Sequence, residues 1–338
     1  MRNPLIISIK STKLKTSEKN NLNIFKPFGV ILFSRNISNF NQIKKLVKSI
    51  KSQSRKTLIL IDQEGGIVNR FQKFPEFKFL DNYDYYKIYL RYPSLAKQLV
   101  YLKSFITSYY LKEIGIDINT IPVLDLPIHN TATIIKKRTF GPNIDTNIIL
   151  NEVLLSASKQ FGLIPVMKHI PGHGVTNRDS HFALPVSKFS ISELNRHLKI
   201  FKHFNHLPLA MTAHIKYLSW DKNNIATFSY KIINQIIRKN ANFKGLIMSD
   251  DLMMKANEFK ILEAISLSNK AGIDILLDCS SDWERYIEII KNFNITNKYK
   301  AKINLQLGKL NRSKFNNKSI NINHYHHLYN ELIKHYGI

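Results

Sequence analysis

The chain has 338 residues, 44% of them hydrophobic, which is enough for one large core in a single domain. Its formal net charge is +26, with 50 Lys and Arg against 24 Asp and Glu. Such an excess can serve nucleic-acid binding, but the basic residues run from end to end and form no stripe, and glycine numbers only 12. The charge therefore reads as compositional bias, and no nucleic-acid partner is expected. The single cysteine, Cys279, rules out an internal disulfide and suits a reducing compartment. The apolar run from Pro4 to Ile9 is too short for a secretory signal and is followed at once by Lys10. No stretch approaches the roughly 18 apolar residues of a membrane helix. A cytoplasmic protein without membrane insertion is expected.

Short apolar, β-branched runs recur along the chain: Leu5–Ile9, Gly29–Phe33, Leu58–Ile61, Ile116–Leu124, Ile164–Met167, Leu209–Met211, Leu246–Met248 and Ile273–Leu277. They are continuous rather than alternating, as in strands buried on both faces. Between them, Asn41–Ser52, Pro93–Ile114, Asp145–Gly162, Ser192–Phe204, Tyr230–Asn240 and Phe259–Ala271 carry helical periodicity. Ser192 with Glu193, and Ser229, are candidate helix starts; Gly115, Gly162 and Gly272 stand where C-caps fall. Strand and helix alternation over eight units predicts a single-domain α/β fold, a (β/α)8 TIM-type barrel over residues 1–290. A doubly wound open sheet is the alternative, disfavoured because no Gly-x-Gly-x-x-Gly follows the first strand. Residues 291–338 read as a basic C-terminal helical extension packed on the barrel, through Leu305–Leu310 and Leu328–Ile333.

In a barrel of this kind chemistry gathers where strands end. Asp62-Gln63-Glu64-Gly65-Gly66 and Arg70 follow the third run. Lys168-His169-Ile170-Pro171-Gly172-His173-Gly174, and then Asp179-Ser180-His181, follow the fifth. Thr212-Ala213-His214 ends the sixth, and Ser249-Asp250-Asp251 the seventh. Any one cluster could be a capping turn, since Asp is a good N-cap. Four converging on one barrel face point to a catalytic site. His169 and His173 are four apart, but Pro171 and Gly172 between them forbid a regular helix, so no metal is expected there.

The segments Gly29–Asn36, Ile61–Phe71, Ile116–Leu126, Lys168–His181 and Gly245–Met253 resemble the family 3 glycoside hydrolases, and among them the bacterial β-N-acetylhexosaminidases. The resemblance runs in order from about residue 4 to 280 and is most specific in Lys-His-x-Pro-Gly-His-Gly followed by Asp-Ser-His. It implies a retaining, two-step mechanism through a glycosyl-enzyme intermediate, without metal or organic cofactor. By the same resemblance Asp250 is the nucleophile, and Asp251 faces away or caps the next helix. His181 is the acid/base, oriented by Asp179. Asp62, Arg70, Arg138, Lys168 and His169 bind the sugar, and His173 and His214 line the pocket. The implied substrate is terminal GlcNAc linked β-1,4 to 1,6-anhydro-N-acetylmuramic acid, with or without peptide, a fragment recycled from peptidoglycan. A monomer is expected. Two positions depart from the family pattern: Ile67 replaces an Arg after Gly-Gly, and Lys137 replaces an acid before Arg138. The second removes a potential partner for Arg138. Three alternatives stay open: a related β-glycosidase, a GlcNAc phosphorylase on the same scaffold, and a degenerate sugar-binding protein.

Overall fold

The computed structural model describes residues 2–176, 184–257, 259–295 and 320–337, together with Tyr299 and Ala301. The strands in chain order are β1 (Asn3–Ser8), β2 (Pro27–Leu32), β3 (Leu58–Ile61), β4 (Ile118–Asn119), β5 (Ile164–Ile170), β6 (Val186–Ser187), β7 (Leu209–Thr212), β8 (Lys216–Tyr217), β9 (Leu246–Asp251) and β10 (Ile275–Asp278). Eight of them close into a barrel in the order β1-β10-β9-β7-β5-β4-β3-β2, every neighbouring pair parallel. β6 and β8 form a separate two-stranded parallel sheet. Each expected apolar run holds one barrel strand, and closure disposes of the open doubly wound sheet. Only β4 is much shorter than its run. Beyond Asn119 the chain passes the Ile121–Pro122 peptide, and a proline has no N–H to continue the ladder.

The runs look uniformly apolar because the two faces of each strand meet different partners. Ile6, Ile31, Leu60, Val166, Met211 and Met248 pack together inside the barrel. Their neighbours Ile7, Val30, Ile59, Met167, Ala210 and Ile247 face outward and join the layer shared with the helices. The two-residue alternation is present but hidden, since both faces are dry. Each of the Ile, Val, Leu and Met side chains contributes about 1.5–3 kcal/mol on burial.

The helices over Phe40–Gln53, Pro93–Ile114, Ile144–Lys159, Ile191–His203, Ile232–Asn240 and Ile261–Ala271 match the expected ones within a few residues. The helix expected to begin near Ser192 begins one residue earlier, at Ile191, and is capped by Ser190. Ser190 Oγ accepts from Glu193 N at 3.3 Å while Glu193 Oε2 accepts from Ser190 N at 2.8 Å, a reciprocal capping box. Ser229 acts as expected, its Oγ accepting from Ile232 N at 3.0 Å. Gly115 and Gly272 close their helices at φ of 94° and 92°, where a Cβ is costly. The helix before Gly162 ends earlier, at Lys159. Helices over Thr16–Phe25 and Trp283–Asn292 complete the ring, and Asn82–Arg91 packs on Pro93–Ile114 as an additional helix; all three have few buried apolar positions to announce them.

Leu328–Ile333 lies within a helix over Ile322–His335 that packs on Pro93–Ile114. Tyr325 stacks on Phe105 at 4.2 Å between centroids, and the Tyr329 and Tyr85 hydroxyls are 2.7 Å apart. Leu305–Leu310 falls outside the described residues. Among the described residues no helix is long and apolar enough to cross a membrane.

Candidate active site

Because all barrel strands are parallel, Asp62, Thr120, His169, Thr212 and Asp250 come to the same end of the barrel. The turn after β3 is braced first. Asn119 on β4 accepts from Gln63 N at 3.0 Å and donates to Gln63 O at 2.9 Å. Gln63 in turn accepts from Arg70 N at 2.8 Å. Glu64 N and Gly65 N both donate to Val68 O, with Gly65 and Gly66 at φ of 82° and 61°. The turn thus presents Asp62, Glu64 and Arg70 on a fixed backbone.

Those three side chains enter one chain of ion pairs. Asp62 Oδ2 accepts from Arg70 at 3.0 Å, and its Oδ1 accepts from Lys168 at 3.3 Å and from the Thr120 hydroxyl. Lys168 Nζ also reaches Glu64 Oε1 at 2.6 Å. Arg138 grips Glu64 with Nε at 2.9 Å and Nη2 at 2.8 Å, a bidentate pair. Burial alone would raise both carboxyl pKa values. For Asp62 the Lys168 and Arg70 charges outweigh it, and the pKa falls well below the usual range. For Glu64 the Arg138 and Lys168 charges hold it down to about 2. The same pairing raises the Arg138 pKa against its own burial.

His169 continues the chain. Its Nδ1 is 2.7 Å from Asp125 Oδ2, and its Nε2 is 3.3 Å from Arg138 Nη2. Asp125 can only accept, so Nδ1 carries the proton that faces it. Asp125 is fully buried and also accepts from His169 N at 3.2 Å and His173 N at 2.6 Å. Burial raises its pKa, but His169 and those hydrogen bonds bring it well below normal. His173 is pushed down to about 4, first by burial and then by His169, so its imidazole is neutral near pH 7. His214 is buried, with Nδ1 2.8 Å from the Thr227 hydroxyl.

Across the mouth, β9 ends in Ser249-Asp250-Asp251. Ser249 Oγ accepts from Leu277 N at 2.9 Å, fixing the strand end to β10. Asp250 is half-buried, and its Oδ1 accepts from Asp251 N at 2.8 Å. Asp251 Oδ1 accepts from Met253 N at 3.1 Å and Cys279 N at 2.9 Å, so its carboxyl caps the following turn. Burial drives Asp251 up to about 6 against those two bonds, and the Asp278 and Asp250 charges push the same way. Cys279 is close enough to both sides of the mouth that its thiol, raised first by burial, is raised further by Asp251 and Asp62.

All five sugar-binding candidates, Asp62, Arg70, Arg138, Lys168 and His169, therefore share one hydrogen-bonded network. Asp179 and His181 lie outside the described residues. Glu64, Asp125 and Thr120 were not singled out from the sequence. Glu64 stands in the same motif as Asp62, and Asp125 in an apolar run where a lone carboxylate needs a partner. Lys137, at the position of the lost acid, pairs with Asp81 at 3.3 Å, and Arg138 is held by Glu64 instead.

Residues 6–310 match the glycosyl hydrolase family 3 N-terminal domain. The beta-hexosaminidase of Psychromonas ingrahamii is 31% identical over 305 residues, covering 86% of this chain and 87% of that protein. That of Actinobacillus pleuropneumoniae serotype 3 is 32% identical over 283 residues, 82% and 81% of the two chains. Crystalline NagZ from Neisseria gonorrhoeae superposes with a TM-score of 0.87 at 28% identity over 98% of both chains. Its complex with N-trifluoroacetyl-D-glucosamine gives 0.85 at 27%. A closed barrel with a charged mouth and this match define a glycoside hydrolase. The chain belongs to glycosyl hydrolase family 3 and, within it, to the NagZ-type β-N-acetylhexosaminidases.

Proposed function

We propose that this enzyme is a retaining exo-β-N-acetylglucosaminidase that removes terminal GlcNAc from peptidoglycan fragments, with 1,6-anhydro-N-acetylmuramic acid as leaving group. The observation that carries this reading is the network from Arg70 through Asp62, Lys168, Glu64 and Arg138 to His169, at the same barrel end as Asp250. Charged donors and acceptors locked by one another recognise fixed hydroxyl and amide groups without reorganising. In this reading Asp62 and Arg70 bond sugar hydroxyls, as do Lys168 and Arg138. The complex of the Neisseria relative with N-trifluoroacetyl-D-glucosamine, an amino sugar, supports the same class of ligand.

Asp250 attacks the anomeric carbon, forming a C–O bond as the bond to the leaving oxygen breaks. His181, oriented by Asp179, gives its proton to that oxygen. It then takes a proton from the water that attacks the anomeric carbon and frees Asp250. Asp250 contributes the nucleophilic carboxyl. Asp251, whose pKa is raised to about 6 and whose oxygen is tied to two backbone amides, shapes the turn instead. The lone cysteine suits a cytoplasmic setting, where recycled wall fragments would be met.

Hydrolysis of p-nitrophenyl β-GlcNAc by the wild type tests the reading. Asp250→Ala should abolish it, while His181→Ala loses less on this substrate because nitrophenolate needs little protonation. Proton NMR of the first product should show the β-anomer. No turnover by a folded wild type, or an α-anomer, sinks the reaction proposed. Product analysis at rising phosphate separates hydrolysis from transfer to phosphate.

A further inference from the structure

The turns that carry Glu64 and Arg138 lie 74 residues apart, and besides their ion pair they share one support. That support is the start of the helix Asn82–Arg91. Asp81 Oδ1 accepts from Ile67 N at 2.6 Å, and Asp81 Oδ2 lies 3.3 Å from Lys137 Nζ. Asn82 Nδ2 donates to Arg138 O at 2.8 Å, while Asn82 Oδ1 accepts from Lys103 Nζ at 2.6 Å. Lys103 is 2% exposed, and its ammonium sits 5.2 Å from the Tyr85 ring centroid. The fit is close on both sides. A Cβ on Gly65 would stand 2.6 Å from Lys103 Cε, and one on Gly66 would stand 2.7 Å from Asp81 Cα.

A buried ammonium costs free energy unless it is bonded, and an apolar side chain would fill the same space more cheaply. Here the charge lies in the field of Glu64 and Asp81, with Asn82 as its hydrogen-bond acceptor. We propose that Asp81, Asn82 and Lys103 are positioning residues, a clip that fixes the Glu64 turn against the Arg138 turn and sets affinity for the sugar rather than the rate of bond cleavage. This rests on Glu64 and Arg138 serving sugar binding. Both Ile67 N and Lys137 Nζ reach the Asp81 carboxylate, so residues 67 and 137 are tied to the same group. The two departures from the family pattern therefore meet at one point, and Lys137 closes the clip from outside.

The test compares sugar affinity with turnover and with stability. KM for p-nitrophenyl β-GlcNAc and the dissociation constant of free GlcNAc are both measured. Lys103→Met should raise each about tenfold, about 1.4 kcal/mol, with kcat within about twofold. Lys137→Glu, at an exposed position, sets a second carboxylate against Asp81 and should raise both roughly threefold. Adding Ile67→Arg to Lys137→Glu should restore them, a coupling that independent surface changes do not show. Leu22→Ala, in the core beneath Thr16–Phe25, serves as the control that lowers Tm without moving KM. The clip is overturned if Lys103→Met lowers Tm with wild-type affinity, or if kcat and KM change together. Should Lys103→Met not fold, the 67/137 cycle decides: additive effects overturn the clip, and restoration upholds it. A wild type that binds GlcNAc but turns nothing over refutes the proposed reaction, while the dissociation constants still judge the clip.

Discussion

The two sides of the barrel mouth treat their carboxylates in opposite ways. On the β3–β5 side, Glu64 and Asp125 are buried and Asp62 is half-buried, yet all three have lowered pKa values because Lys168, Arg70, Arg138 or His169 stands against them. On the β9–β10 side, Asp251 is raised to about 6, with burial leading and the acids Asp278 and Asp250 adding to it. Burial acts in the same direction on both sides, so the sign is decided by the neighbouring charge. The first side holds its carboxyls ionised within a rigid network, which suits the proposed sugar binding. The second crowds acids together at the strand that presents Asp250, where the proposed mechanism places an oxygen nucleophile.

The sharpest break of this comparison is removal of the proposed nucleophile. Asp250→Ala should lower kcat by on the order of 10⁴-fold or more, with Tm nearly unchanged, measured on p-nitrophenyl β-GlcNAc. If it retains activity, the β9 side does not react. Glu64→Gln comes next. It leaves Arg138 and Lys168 buried with an acceptor of half the capacity, which should cost about 3–5 kcal/mol of stability in a urea titration. A loss below about 1 kcal/mol means the network is not what holds the binding side together.

Acid should then tell the two sides apart. Glu64 has its pKa lowered from 4.5 to about 2, so its stabilisation is complete above about 4.5 and is lost as pH falls toward about 2. Asp251 has its pKa raised from 3.8 to about 6, so the fold gives up stability as pH rises from 3.8 through about 6. The smallest effect is expected from that raised carboxyl. Asp251→Asn keeps an acceptor for Met253 N and Cys279 N but removes the charge. It should raise stability by roughly 1–2 kcal/mol at pH 7.5 and leave it unchanged near pH 3, where the native carboxyl is already neutral. Equal gains at both pH values would mean that folding does not raise the Asp251 pKa.

Much of this was legible before any coordinates. The eight apolar runs, the glycines after Pro93–Ile114 and Phe259–Ala271, and the polar clusters at the strand ends are local patterns, and parallel strands force those ends to one face. Position was also enough to bring Asp62, Arg70, Lys168 and His169 into view. Helices such as Thr16–Phe25 were harder to read, because Leu22 is the only apolar residue it buries. The strand run at Ile116–Leu124 overstated β4, because beyond Asn119 it pairs with β5 only irregularly, through a single bridge of Val123 with Lys168, while staying just as buried.

What the sequence determined by itself was the alternation of buried strands and amphipathic helices, and the chemical kinds of residue standing at each strand end. Only the tertiary structure decided which charges meet: Glu64 with Arg138 and Lys168, Asp125 with His169, Asp81 with Lys137. Strand and turn propensities act over a few residues and leave a pattern in the chain. Ion pairing depends on separations of a few ångströms between segments many residues apart, and those are fixed only once the barrel has closed.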